Sequence, residues 1–176
     1  MKTSIKYTRW LAVAALTIAW FPAMAVAAIH VKLAVNGNTS LYVTENDAQC
    51  PDGPLDCVEV AKGSSPNLFF ELDNACMAGG PEYGLQQIRI AMAAKDWPTS
   101  SNPLPQYAVD DFNADPESGV IDLVPGTDNE NAQRDNMIKF KDKNSRAYTV
   151  YYEITARQCN GGGTIVLDPS VRNGGK

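Results

Sequence analysis

The sequence predicts a single all-β domain, an antiparallel β-sandwich of immunoglobulin-like or similar Greek-key topology, with a small β-barrel as the alternative. Three observations support this prediction. Short runs in which apolar and polar residues alternate recur along the chain, as in strands that bury one face. Glycine, proline, asparagine and aspartate separate these runs. No segment shows the sustained period of 3.6 residues that is typical of a packed amphipathic helix.

The first part of the chain is typical of a secretory signal peptide. It has three basic side chains and no acidic one in its first ten residues, then a short apolar run, then alternating small residues up to Ala25 and Ala27. The apolar run is shorter than the roughly 20 residues that span a bilayer, so we expect no membrane span after cleavage. We expect a signal peptide over residues 1–27, with cleavage after Ala27 or alternatively after Ala25. Residues 28–176 then form a periplasmic or secreted domain.

The mature domain is strongly acidic. Removal of residues 1–27 takes away three basic residues and no acidic one, which changes the formal net charge from −5 to −8. A surface of this charge repels nucleic acids and anionic membranes, so neither is an expected partner. We expect a monomer whose partner is a protein or a glycan that the sequence does not identify.

Nine stretches of the mature chain have either the alternating pattern or a short run of apolar residues. In the first of them Ile29, Val31 and Leu33 fall on one face and His30 and Lys32 on the other. The predicted strands lie in residues 28–35, 39–44, 57–62, 67–73, 85–94, 119–125, 137–142, 146–155 and 162–169.

The four cysteines all lie in the mature domain, and an even number in an exported chain predicts two disulfides. Three pairings are possible. The segment CPDGPLDC places Cys50 and Cys57 at the two ends of a loop rich in turn residues, so we expect that pair to form. The pairing of Cys76 with Cys159 follows as a long-range crosslink.

No known catalytic motif is present in the sequence. The chain contains one histidine and has no G-x-S-x-G or H-E-x-x-H segment, and we expect its cysteines to be oxidised. We therefore expect a non-catalytic binding or structural role and no required cofactor. A small hydrolase that uses a pair of carboxylates stays as an alternative, because the chain has twenty acidic residues.

One acidic segment partly matches a calcium-binding loop. Oxygen-bearing side chains occupy positions 1, 3, 5, 7 and 12 of that template. These candidate ligands are Asp111, Asn113, Asp115, Glu117 and Asp122. Position 6 is Pro116 where the template has glycine, and Asp122 is shorter than the usual glutamate. A calcium-binding domain is therefore an alternative function, and a solvated acidic loop is the competing interpretation.

The single histidine, His30, is a candidate copper ligand under one condition. Cleavage after Ala27 would make it the third residue, where its imidazole, two backbone amides and the terminal amine can surround Cu²⁺ in a plane. A strand that starts at Ile29 would commit the same amides to sheet hydrogen bonds. An outward-facing strand position is therefore the default expectation for His30.

The least strand-like segment of the domain runs from Trp97 to Ser118. Loops of this length in compact domains are often functional or else mobile. Trp97, Phe69 and Tyr151 are candidates for a glycan-binding platform of aromatic rings, although ordinary packing is the stronger expectation for all three.

Overall fold

The computed structural model describes residues 28–37, 40–123, 133–134, 136–168 and 170–175. The predicted signal peptide, residues 1–27, lies outside these ranges and stays a prediction. In the described part of the chain, no helix is long and apolar enough to cross a membrane.

Two mixed sheets and one short helix make up the described structure. The elements are β1 (Ala28–Asn36), β2 (Ser40–Asn46), β3 (Cys57–Val60), β4 (Asn67–Leu72), β5 (Tyr83–Ala91), α1 (Gln106–Phe112), β6 (Gln133–Arg134), β7 (Met137–Lys141), β8 (Ala147–Gln158), β9 (Thr164–Leu167) and β10 (Ser170–Gly174). The first sheet has the order β2-β1-β4-β7-β6. The second has the order β3-β10-β8-β5, and β9 also pairs with β8.

The core lies between the two sheets. Alternate residues of β1, β4, β7 and β8 are buried, as the pattern of apolar residues predicts. Phe70 of β4 lies 5.9 Å from Phe140 of β7 and 5.0 Å from Tyr152 of β8, measured between ring centroids, so these rings join the sheets. The all-β sandwich-like fold is confirmed, and among the described strands the hydrogen bonding does not close the sheets into a barrel.

The prediction of purely antiparallel pairing was wrong for two strand pairs. Strand β1 runs parallel to β4, and β3 runs parallel to β10. Parallel neighbours need a crossover connection, which β2 and β3 supply between β1 and β4. Alternation within a strand reveals which face is buried but not which distant strand lies beside it, so the sequence contained no signal for these pairs.

The sequence predicted no helix, but the structure contains one short helix, α1. This helix has two turns, which is too short to give a periodic apolar signal. Its buried residues Ala108, Asp111 and Phe112 have the i, i+3, i+4 spacing of one helix face. The strand predicted for residues 119–125 is not present in residues 119–123, the part of it that the structure describes. Val120 instead makes an isolated bridge to Arg89, and Ile121 makes one to Ala114.

Strands β6 and β10 were also missed by the sequence pattern. The segment of β10, SVRNG, contains one apolar side chain, Val171, so it does not show alternation. It nevertheless continues the register of β9 along β8: Leu167 pairs with Ile154, and Ser170 pairs with Tyr151.

Both predicted disulfides are present, and no cysteine is free. The Cys50–Cys57 bond closes a tight turn in which the Cys50 amide donates to the Cys57 carbonyl at 3.0 Å. A Cβ at Gly53 would lie 2.7 Å from Cys50 Cβ, so this turn requires glycine. The Cys76–Cys159 bond ties the segment after β4 to the end of β8.

Candidate functional site

A groove of about 720 Å³ lies on the outward face of the second sheet. Its floor consists of two directly opposed cross-strand pairs, Gln87 with Thr155 and Arg89 with Glu153. These side chains point away from the core because the alternate residues of β5 and β8 are buried between the sheets. Its walls come from residues 98–100 and 115–120, that is, from the two ends of the long segment and the two residues that follow it.

Backbone hydrogen bonds hold the long segment against the edge of β5. The Ile90 amide donates to the Gly119 carbonyl at 2.8 Å, and the Ile121 amide donates to the Ile88 carbonyl at 3.1 Å. Gly119 has a φ of 72°, and a Cβ there would lie 2.2 Å from the Ile90 carbonyl oxygen, so only glycine fits. The segment that the sequence identified as functional or mobile therefore lies beside β5, and parts of it line the groove.

An ion pair organises the groove floor. Arg89 Nε donates to Glu153 Oε1 at 2.8 Å, and Arg89 Nη2 donates to Glu153 Oε2 at 3.0 Å. The guanidinium carbon also lies 4.1 Å from the centroid of the Trp97 ring. The bidentate contact and the stacking fix the plane of the guanidinium, and they neutralise both charges locally.

Two further carboxylates line the wall. Asp115 Oδ1 accepts hydrogen bonds from the Ser118 hydroxyl at 2.8 Å and from the backbone amides of Ser118 at 2.8 Å and Glu117 at 3.1 Å. The Ser118 hydroxyl and these amides lower the pKa of Asp115, so this side chain is ionised at neutral pH. Glu117 Oε2 accepts from the Ser100 hydroxyl at 2.8 Å.

Asp115 and Glu117 are both exposed, so their remaining carboxylate oxygens are open to solvent or to a ligand. Asp115 Oδ2 and Glu117 Oε1 make no hydrogen bond with the described part of the protein. Because Arg89 and Glu153 neutralise each other, the four charged side chains of the groove sum to −2. The sequence missed this site, since only the β5–β8 register and the path of the long segment bring its members together.

The five candidate calcium ligands do not converge in the structure. Asp111 lies on the buried face of α1, and Asn113 ends that helix with a φ of 52°. Asp115 and Glu117 line the groove instead. Within the described residues, no three His, Cys, Asp or Glu side chains are grouped as a metal site would require. Calcium binding by residues 111–122 stays a prediction, and the structure offers it no assembled ligand set.

Asp111 instead forms a buried hydrogen-bond centre. Its carboxylate accepts from the Ser145 amide at 3.0 Å, the Ser145 hydroxyl at 2.9 Å and the Tyr148 hydroxyl at 2.9 Å. These contacts join α1 to the start of β8. The Asp111 side chain is 1% exposed, and its buried carboxylate is satisfied by these three donors.

We predict that Asp111→Ala lowers the free energy of unfolding by about 3 kcal/mol, because it leaves three partly buried donors without their acceptor and removes the contacts of a buried side chain. Asp110→Ala is the matched control on the neighbouring residue. Asp110 is exposed, and among the described residues its side chain accepts from the Gln106 side chain alone, so we expect a change of about 0.5 kcal/mol or less. Urea denaturation of both variants measures the difference, and equal effects would contradict the assignment.

His30 lies on the outward face of β1, as expected. Its ring Nδ1 is 3.0 Å from Glu71 Oε1, and the ring stacks on Phe69 with centroids 4.6 Å apart. Its amide donates to Asp47 Oδ2 at 3.3 Å, and its carbonyl accepts from the Asp47 amide at 3.1 Å. Backbone and ring are thus engaged within the sheet. Copper binding stays a prediction that depends on a cleavage site outside the described residues.

The three candidate platform aromatics have different surroundings. One face of Phe69 is covered by His30, and the Trp97 ring is covered by Arg89. Tyr151 lies half-buried on β8. Stacking of a sugar on Phe69 or Trp97 would have to displace an existing partner, so these contacts favour ordinary packing.

A pair of neighbouring carboxylates, Glu153 and Asp168, bears on the hydrolase alternative. The pKa of Asp168 is raised by partial desolvation and then by the charge of Glu153, which lies within hydrogen-bond reach. Glycosidase carboxyl groups stand about 5 Å or more apart, so that a substrate or water fits between them. Both oxygens of Glu153 already accept hydrogen bonds from Arg89, so a catalytic role for this carboxylate would require that ion pair to break.

Comparison with known proteins gives no functional assignment. The sequence matches no model of a known protein family and no curated protein.

Proposed function

We propose that this chain is an exported, non-catalytic binding protein that holds a positively charged segment of a protein partner in the groove on the second sheet. The observation that carries the proposal is the groove itself, in which Asp115 and Glu117 each present one carboxylate oxygen without a donor. The two disulfides support a role outside the cytoplasm, since such bonds persist in oxidising compartments.

A cationic side chain suits these oxygens better than a neutral ligand does. Lysine ammonium and arginine guanidinium groups carry only donors, which can replace water on the exposed carboxylate oxygens of Asp115 and Glu117. Hydrogen bonds between charged groups are also about twice as strong as neutral ones. Gln87 and Thr155 add an amide and a hydroxyl at the floor, and these can bond the backbone of an extended segment.

Trp97 provides a direct assay. It is the sole tryptophan in residues 28–176, and its ring lies against Arg89 at the groove floor. We predict that a tetralysine peptide, added to the mature protein at low salt, changes the Trp97 fluorescence in a saturable way. The effect should weaken as salt rises, because the Debye length falls from about 30 Å at 0.01 M to about 8 Å at 0.15 M.

A matched pair of variants tests the location of the peptide. Glu117→Gln removes a groove charge and should weaken binding roughly tenfold, the effect of losing one charge-assisted hydrogen bond. Glu59→Gln is the control, because Glu59 is exposed on the outward face of β3 in the same sheet and does not line the groove. Equal affinities for the two variants would contradict the proposal. Saturable binding of a neutral oligosaccharide without any binding of tetralysine would assign the groove to a glycan instead.

A further inference from the structure

A second polar cluster lies in the interior, where α1, the β7–β8 connection and β10 meet. Four polar side chains there are at least 95% buried: Asp111, Asp142, Asn144 and Asn173. Asn144 is fully bonded: its amide group donates to the carbonyls of Ala61 and Ser64, and its Oδ1 accepts from the Gly175 amide. Asp111 is bonded to Ser145 and Tyr148 as described above. The other two members are not fully bonded.

Asp142 and Asn173 each have an acceptor without a donor. Asp142 Oδ1 accepts from the Asn144 amide at 2.8 Å and from Asn173 Nδ2 at 3.4 Å. Asp142 Oδ2 and Asn173 Oδ1 are buried and have no hydrogen-bond partner among the described residues. Unsatisfied buried acceptors are rare in native proteins, because each one loses its hydration without a replacement. Here the two unsatisfied acceptors belong to side chains that touch each other.

One proton resolves both defects. A carboxylic acid carries an O–H donor, so a proton on Asp142 Oδ2 can be donated to Asn173 Oδ1. Together with the contact from Asn173 Nδ2 to Asp142 Oδ1, this gives a side-by-side acid–amide pair. We propose that the folded protein holds Asp142 as a neutral carboxylic acid bonded to Asn173, and that loss of this proton loosens the junction of the β7–β8 connection with β10.

The groups that face Asp142 agree with this assignment. Asp111 approaches from α1 as a second carboxyl group, and Tyr148 approaches from β8. The pKa of Tyr148 is raised by burial and by Asp111, so it stays a phenol that donates to Asp111. Burial raises the pKa of Asp142, and the charge of Asp111 adds to this effect; the hydrogen bonds from the Asn144 amide and the Asn173 side chain lower it, and the net pKa is about 7. No cation among the described residues pairs with Asp142.

The direction of the pH effect follows from proton linkage. In the unfolded chain Asp142 has an ordinary pKa of about 4, so between about pH 4 and pH 7 the folded state binds one more proton than the unfolded state. Stability therefore falls as pH rises through this window. Asp111 lies in α1, and α1 belongs to the segment that forms the groove wall. Ionisation of Asp142 therefore places a negative charge near the carboxyl group that ties this segment to β8.

The test compares thermal unfolding of the wild type and Asp142→Asn across pH. Asparagine carries a permanent donor in place of the acid O–H, so it can satisfy Asn173 Oδ1 at every pH. We expect the wild-type melting temperature to fall by roughly 5 °C or more between about pH 5 and pH 8, and the variant to lose most of this dependence. Asp110→Asn, on the exposed face of α1, should keep the wild-type dependence. Equal pH profiles for the wild type and Asp142→Asn would overturn the proposal.

Two measurements on the wild type do not depend on how the variant folds. The ¹³C resonance of the Asp142 carboxyl should titrate with a midpoint near pH 7, and a midpoint of about 4, the ordinary value of aspartate, would overturn the proposal. Calcium chloride added at about pH 8 should not restore the melting temperature seen at about pH 5. Restoration would show that a cation, and not a proton, satisfies the two acceptors.

Discussion

Removal of the Cys76–Cys159 disulfide is expected to lower the free energy of unfolding by about 4.5 kcal/mol, the larger of the two disulfide effects. The two cysteines are 83 positions apart, and a crosslink over a loop of this size strongly restricts the unfolded chain. The matched control is removal of Cys50–Cys57. Its separation of 7 positions gives an expected loss of about 2.5 kcal/mol in the same chain-entropy treatment.

Double cysteine-to-alanine variants of each pair, unfolded in guanidinium chloride under the same conditions, measure this difference. The order of the two losses is the informative result, since the absolute values depend on structure that remains in the unfolded state. A larger loss from removal of the short loop would contradict the entropic account of these bonds.

Phe70→Ala is expected to cost about 4 kcal/mol of unfolding free energy, within the range for a large aromatic truncated in a packed core. Phe70 is fully buried and contacts Phe140 in its own sheet and Tyr152 in the opposite sheet. Truncation removes those contacts and leaves a cavity at the centre of the sandwich.

The neighbouring residue supplies the control for this variant. Phe69 points to the outward face of β4, where it stacks on His30 and lies 5.6 Å from the Lys139 ammonium nitrogen. Phe69→Ala should cost about 1 kcal/mol or less, because the ring stays half-exposed in the folded state. Urea denaturation measures both, and a cost for Phe69 equal to that for Phe70 would mean that the faces of β4 are wrongly assigned.

Much of the fold could be predicted from local pattern. Alternation within β4 predicts that Phe70 is buried and that Phe69 is on the outward face, as the structure shows. The same signal predicts eight of the strands that the structure contains. Pairing between distant strands could not be predicted, because period-2 alternation is the same for parallel and antiparallel neighbours. The immunoglobulin-like topology stays a prediction.

The site was only partly accessible to sequence reasoning. The long segment from residue 97 to 118 was recognised as a candidate functional loop, and it forms the groove wall. Arg89 and Glu153 lie 64 positions apart and are partners only through the β5–β8 register. Asp111 fits the calcium template only by its spacing along the sequence. In the structure it belongs to α1, and its side chain lies on the buried face of that helix. Spacing along a chain predicts a ligand set only when the backbone conformation is also known.

The groove is tested most directly by a titration of ¹⁵N-labelled mature protein with tetralysine, followed by NMR. The account predicts amide shifts that saturate and that concentrate in β5, in β8 around Glu153 and Thr155, and in residues 98–100 and 115–120. Residues around His30 and Phe69, on the outward face of the other sheet, should not shift. Shifts that cluster on that other sheet, or the absence of any saturable shift at low salt, would contradict the proposed function.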